Sequence, residues 1–186
     1  FFAGHYKEIQ HRSWEASNRD RVHEIEQADV IIAGLPKWIL YDTTRNPLVC
    51  LNAAAAILRV CTGKPLLREG GVIILIAECD GQIDTDALPS YPEVIDLYGE
   101  TGNAERLEEK YLEEFLFYRP EYLRKHMAGN ANHPVHPFWL FAETQFVHEH
   151  AGKLIIATAE NPLAVRKVGG VWAEDFKQAW DMAEKK

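Results

Sequence analysis

Sulfur is scarce in this chain: three cysteines and two methionines in 186 residues. The cysteines, Cys50, Cys61 and Cys79, are odd in number and sit in apolar surroundings. That excludes a disulfide framework and predicts reduced, buried thiols, the usage of a cytoplasmic protein. No run of roughly eighteen uncharged apolar residues exists, so a membrane-spanning helix is not expected. Basic residues number 20 against 28 acidic, a net charge of −8, with no basic stripe. Nucleic acid is therefore not an expected partner. No glycine-rich phosphate loop ends in Lys-Ser/Thr, and no Gly-x-Ser-x-Gly elbow is present, which removes P-loop enzymes and α/β-hydrolases. Gly70-Gly71 precedes an apolar run instead of following one, so it reads as a turn and not as a dinucleotide fingerprint. The chain opens Phe1-Phe2-Ala3-Gly4-His5, without methionine or a signal pattern, and reads as a piece of a longer protein.

What is present is alternation. Val30–Ala33, Val72–Ala77 and Leu154–Ala157 are apolar throughout, the pattern of strands buried between helical layers. Turn residues close each one: Gly34-Leu35-Pro36, Asp80-Gly81 and Asn161-Pro162. Asn46-Pro47 offers an N-cap and a first-turn proline to a buried helix running from Leu48 to Cys61. Leu107, Tyr111, Phe115 and Tyr118 give an amphipathic helix ending before Pro120. Phe138–His150 and Trp172–Ala183 are two more helical patterns, and Tyr6–Ser17 a weaker one. The stretch from Asp80 to Asn103 reads as a long loop with one helical turn near Glu93–Tyr98. These elements predict a single α/β domain over residues 1–186, a layered sandwich with a mostly parallel sheet flanked by helices, carrying a helical insertion at about 104–128.

In such sheets ligands sit at the carboxyl ends of the strands, which directs attention to Lys37, to Glu78–Gly81 and to Glu160 with Asn161. Lys37 can hold a carboxylate as a point charge, or serve only as a solvated loop lysine. Glu78 and Asp80 can act as an acid–base pair, or cap and face water. Among eight histidines, His133 and His136 lie three apart between prolines, and His148 and His150 close a helix. Neither pair shares one helical face, so no metal site is expected. His136 and Trp139 can line a cleft mouth, or Phe138 and Trp139 can simply pack the helix onto the sheet.

Three segments carry a family resemblance. They are Ala28-Asp29-Val30-Ile31-Ile32-Ala33-Gly34-Leu35-Pro36-Lys37, then Gly70–Gly81, and then the His-x-x-Trp helix start at His136–Trp139 followed by the strand Lys153–Thr158. Their order resembles the C-terminal domain of the nickel-dependent lactate racemase family over about residues 4–183. The resemblance implies a two-domain enzyme that interconverts the hands of a small 2-hydroxy acid in a cleft between its halves. It also implies that nickel and its pincer cofactor, pyridinium-3,5-bisthiocarboxylate mononucleotide, are held by the N-terminal half. This chain would then bind neither cofactor nor metal, its partners would be that half and the substrate, and it would be inactive alone. A Tyr-Gln pair with a lysine one turn on corresponds here to Leu51-Asn52-Ala53-Ala54-Ala55, with alanine in place of the lysine. The segment from Trp38 to Pro47 reads as inserted, and its Tyr41 and Arg45, with Lys37, are candidates for the missing charge or donor. The resemblance thus implies Lys37 and Asn52 as catalytic, and Arg45, Trp139 and His136 as substrate-binding. The rival expectation is a non-catalytic ligand-binding or protein-interaction module that keeps the fold.

Overall fold

The computed structural model describes residues 2–39, 41–59 and 64–185. In chain order the elements are α1 (Tyr6–Arg21), β1 (Ala28–Gly34), β2 (Trp38–Ile39), β3 (Asp42–Thr43), α2 (Pro47–Arg59) and β4 (Leu67–Ile76). Four helices follow, α3 (Tyr91–Thr101), α4 (Ala104–Phe117), α5 (Pro120–Met127) and α6 (His136–His150), and then β5 (Lys153–Ala157), α7 (Pro162–Lys167), β6 (Val171–Ala173) and α8 (Phe176–Glu184). The main sheet runs β1-β4-β5-β6, parallel at every pairing, and β2–β3 is a small antiparallel hairpin. The three apolar runs are β1, β4 and β5. Ile73, Ile74, Ile155 and Ile156 have no exposed surface, as a strand covered on both faces requires.

Strand order equals chain order, so right-handed crossovers all fall on one side of the sheet. Ile73, Leu75, Leu154 and Ile156 pack there with Leu51, Tyr98, Phe115, Phe141 and Val165. On the other face Val72, Ile74, Ile155 and Ala157 meet only Ala179 and Ala183 of α8 among buried residues outside the sheet. The α4 helix belongs to the large core, because Leu107 and Phe115 are fully buried in it. The N-terminal helix α1 buries none of its residues.

Three local expectations need correction. Trp172 lies in a strand, not a helix; α8 starts at Phe176, where the Asp175 side chain accepts from Gln178 N at 2.7 Å. The stretch from Asp80 to Asn103 holds an eleven-residue helix, α3, which buries Tyr91, Val94, Ile95 and Tyr98. Gly70-Gly71 is inside β4 at a register shift, and not in a turn. A Cβ on Gly71 would stand 2.8 Å from Asp29 O and 2.7 Å from Leu67 Cδ1, so the neighbouring chain passes too close for any side chain. A short helix, α7, follows Asn161-Pro162, with Asn161 Oδ1 accepting from Leu163 N at 3.0 Å. Cys50 and Cys79 are buried free thiols, while Cys61 lies outside the described residues.

Candidate functional site

The carboxyl ends of β1, β4 and β5 carry two flanks of different chemistry. On the first, the chain entering α2 is laced to the loop leaving β4. Cys79 N donates to Thr44 O at 3.0 Å and Gly81 N to Arg45 O at 2.9 Å. Above this lacing, Arg45 Nε donates to Asp80 Oδ2 at 2.8 Å, with Glu78 Oε2 3.9 Å away. The Asp80 carboxylate pushes the guanidinium above its ordinary value, so it is charged at any working pH. Asp80 is itself consumed, since Oδ1 accepts from Gln82 N and its carbonyl from Asn161 Nδ2. A cleft of about 240 Å³ opens beside it, with Pro47, Gly81, Ile95, Asn161 and Lys167 in its wall. Cys79 at φ 35° and Thr158 at φ 65° hold left-handed backbone conformations at the ends of β4 and β5. Such strain in non-glycine residues collects where a fold presents groups to a ligand or locks a loop.

On the second flank the clustered rings and amides are neutral, and the Asp42 carboxylate beside them is buried, accepting from Thr43 N at 2.7 Å and Asn46 Nδ2 at 3.0 Å. The β2–β3 hairpin turns Tyr41 inward, where Asn52 Nδ2 reaches its hydroxyl at 3.4 Å while also donating to Leu48 O at 3.1 Å. Asn46 caps the helix that carries Asn52, its Oδ1 accepting from Leu48 N at 3.0 Å. Tyr91, from the first turn of α3, is fully buried, and its hydroxyl bonds to Nδ1 of His136 at the start of α6. The rings of Tyr41, Tyr91 and His136 are mutually 5.8 to 6.0 Å apart. Trp139, 57% exposed, adds its ring 5.7 Å from that of His136. Burial pushes both tyrosine hydroxyls well above the ordinary range, so they remain phenols. Burial lowers His136 below the usual histidine value, so its ring is neutral near pH 7.

Asn52, His136 and Trp139 therefore come together, joined by Tyr41. Arg45 stands apart on the ion-paired flank. Lys37 is exposed, its carbonyl accepting from Thr44 N at 3.1 Å and its ammonium in no salt bridge among the described residues. Tyr91 and Asn132 are additions that sequence reasoning missed. The Ser90-Tyr91-Pro92 sequence did carry a helix-start signal, a proline in the first turn. Four other histidines have packing or hydrogen-bonding roles. His150 Nε2 bonds Leu67 O at 2.8 Å, the His148 ring fills the space over Gly169, and His133 lies edge-on to His126 at 4.9 Å. No three metal-ligating side chains gather among the described residues.

Comparison with known proteins adds the fold's relationship. One solved structure, the lactate racemase apoprotein from Thermoanaerobacterium thermosaccharolyticum, superposes with a TM-score of 0.57 over 98% of this chain at 19% identity. The fold is that of part of a lactate racemase. The chain spans 37% of that structure's length. No protein-family model and no curated protein matches the sequence. No described helix is long and apolar enough to cross a membrane.

Proposed function

We propose that this chain is the substrate-side domain of a 2-hydroxy-acid racemase or epimerase, inactive by itself, and that the neutral flank is its contribution to the site. The observation supporting this is the convergence of Asn52, His136 and Trp139 with Tyr41 and Tyr91 at the strand ends of a lactate-racemase-like fold. The described side chains do not form a nickel site. As the family resemblance implies, nickel and its pincer nucleotide belong in this reading to an N-terminal domain, and no step on this chain runs through them. That group supplies the hydride chemistry. This chain's residues bind and orient the acid: His136 offers its outer nitrogen, Asn52, Tyr41 and Tyr91 hold that ring in place, and Trp139 walls off water. Lys37, a free cation at the rim, attracts the carboxylate. Arg45 has a structural role, because Asp80 already occupies its fork.

The test is racemisation of D- and L-lactate by the complete gene product, expressed in a host that makes the pincer cofactor. Loss of turnover in His136→Ala with nickel still loaded supports the reading; a fully loaded wild type inactive on a panel of 2-hydroxy acids overturns it. A second reading, a non-catalytic ligand-binding or protein-interaction module, is favoured by Ala55. That residue is 3% exposed, so where the resemblance calls for a lysine there is no cation on the neutral flank.

A further inference from the structure

We infer that His136 is locked as the tautomer with a bare Nδ1 and a protonated Nε2, so that it presents a neutral N–H donor to an oxygen of the bound hydroxy acid and is not the base that deprotonates it. The ligand half of this statement rests on the proposed function; the tautomer does not.

The groups around Nδ1 decide where the ring proton sits. The Asn52 amide nitrogen donates to a main-chain carbonyl, Leu48 O at 3.1 Å, so the atom 3.4 Å from the Tyr41 hydroxyl is a donor and the Tyr41 oxygen accepts. The Tyr41 ring in turn packs edge-on to those of Tyr91 at 6.0 Å and His136 at 5.8 Å. The Tyr91 hydroxyl bonds His136 Nδ1 and has one proton to give. Asn132 Nδ2 also lies 3.5 Å from that nitrogen, and an amide NH₂ has protons to give and no lone pair to offer. Every neighbour of Nδ1 is thus a donor. A proton there would face two others, so the neutral ring carries its proton on Nε2.

Nε2 has no hydrogen-bond partner among the described residues, and the half-exposed ring lies beside the open indole of Trp139. A neutral N–H at that position suits a carboxylate, hydroxyl or ketone oxygen. Asn52, Tyr41, Tyr91 and Asn132 are then positioning residues that act through His136, and proton abstraction must come from outside this cluster.

The tautomer is read directly by multiple-bond nitrogen-15 NMR on the 186-residue chain with labelled histidine at neutral pH. Wild type is expected to show Nδ1 at the shift of an unprotonated nitrogen and Nε2 at that of a protonated one. Tyr91→Phe should turn this near-pure state into a mixture. Asn132→Ala, at a half-buried position less exposed to folding failure, should do so in smaller degree. A protonated Nδ1 in wild type overturns the inference, as does a tautomer unmoved in both variants. Titration with L-lactate separates the two halves. A selective shift of Nε2 supports the donor role, whereas the expected tautomer with no lactate response overturns that role and the hydroxy-acid reading together while leaving the lock in place.

Discussion

The two flanks of the strand ends differ in where their polar valences go. On the Arg45 flank, guanidinium, carboxylate, backbone amides and the Asn161 side chain all close on one another. Their charges are spent inside the fold, and the strained Cys79 is held beneath them. On the Tyr41–His136 flank the clustered rings and amide are neutral, the Asp42 carboxylate beside them is buried and bonded to Thr43 N and Asn46 Nδ2, and the outer nitrogen of His136 is left open. A charged cluster at a cleft attracts attention as a catalytic candidate. Here it behaves as a clasp, and the neutral row beside it keeps free chemical capacity. Charge in a site is informative only after its partners have been subtracted.

Substitutions can break this contrast, and the largest effect is expected at Tyr91. Tyr91→Ala removes a fully buried ring and should cost about 3–5 kcal/mol, read by denaturant unfolding. Asp80→Ala strips the clasp of its acceptor and should cost about 1–3 kcal/mol while leaving the tautomer of His136 unchanged. Acid sharpens the comparison from another side. His133, His136 and His148 all sit below the ordinary histidine value of about 6.5 because they are buried. The unfolded chain therefore takes up protons that the folded chain refuses, and stability should fall as pH drops from about 6.5 through the lowered folded values. Unfolding midpoints between pH 7.5 and about 5 test this sign, and His136→Gln should flatten the slope. Trp139→Ala, at an exposed position, should leave stability within about 0.5 kcal/mol of wild type and weaken ligand binding. Smallest of all, Lys37→Ala should leave unfolding unchanged and raise only the Michaelis constant of the complete enzyme.

How much of this was legible in the sequence depended on the length of the signal. The apolar runs inside the seven- and ten-residue strands β1 and β4, and the Asn-Pro helix start of α2, announce themselves. The three-residue β6 is too short to show a period, and Trp172 happened to fit the spacing of the helix that follows it. Prolines at 89 and 92 made the α3 region read as a loop, although one of them sits in that helix's first turn. The site was half legible for a related reason. His136 and Trp139 stood out at a helix start, and Asn52 and Tyr41 came from the family resemblance. Tyr91 was hidden in the misread segment, and its contact with His136 spans 45 residues, which no local pattern encodes. Arg45 was visible as a charge, but its pairing with Asp80, 35 residues away, was not.

The most direct test of the central contrast is one NMR titration of the labelled 186-residue chain with D- and L-lactate, following the Trp139 indole, the His136 ring and the Arg45 Nε–H together. The account predicts saturable shifts at Trp139 and His136, with the Arg45 signal unmoved. Shifts at Arg45 with Trp139 and His136 silent would contradict it and make the ion-paired flank the binding site.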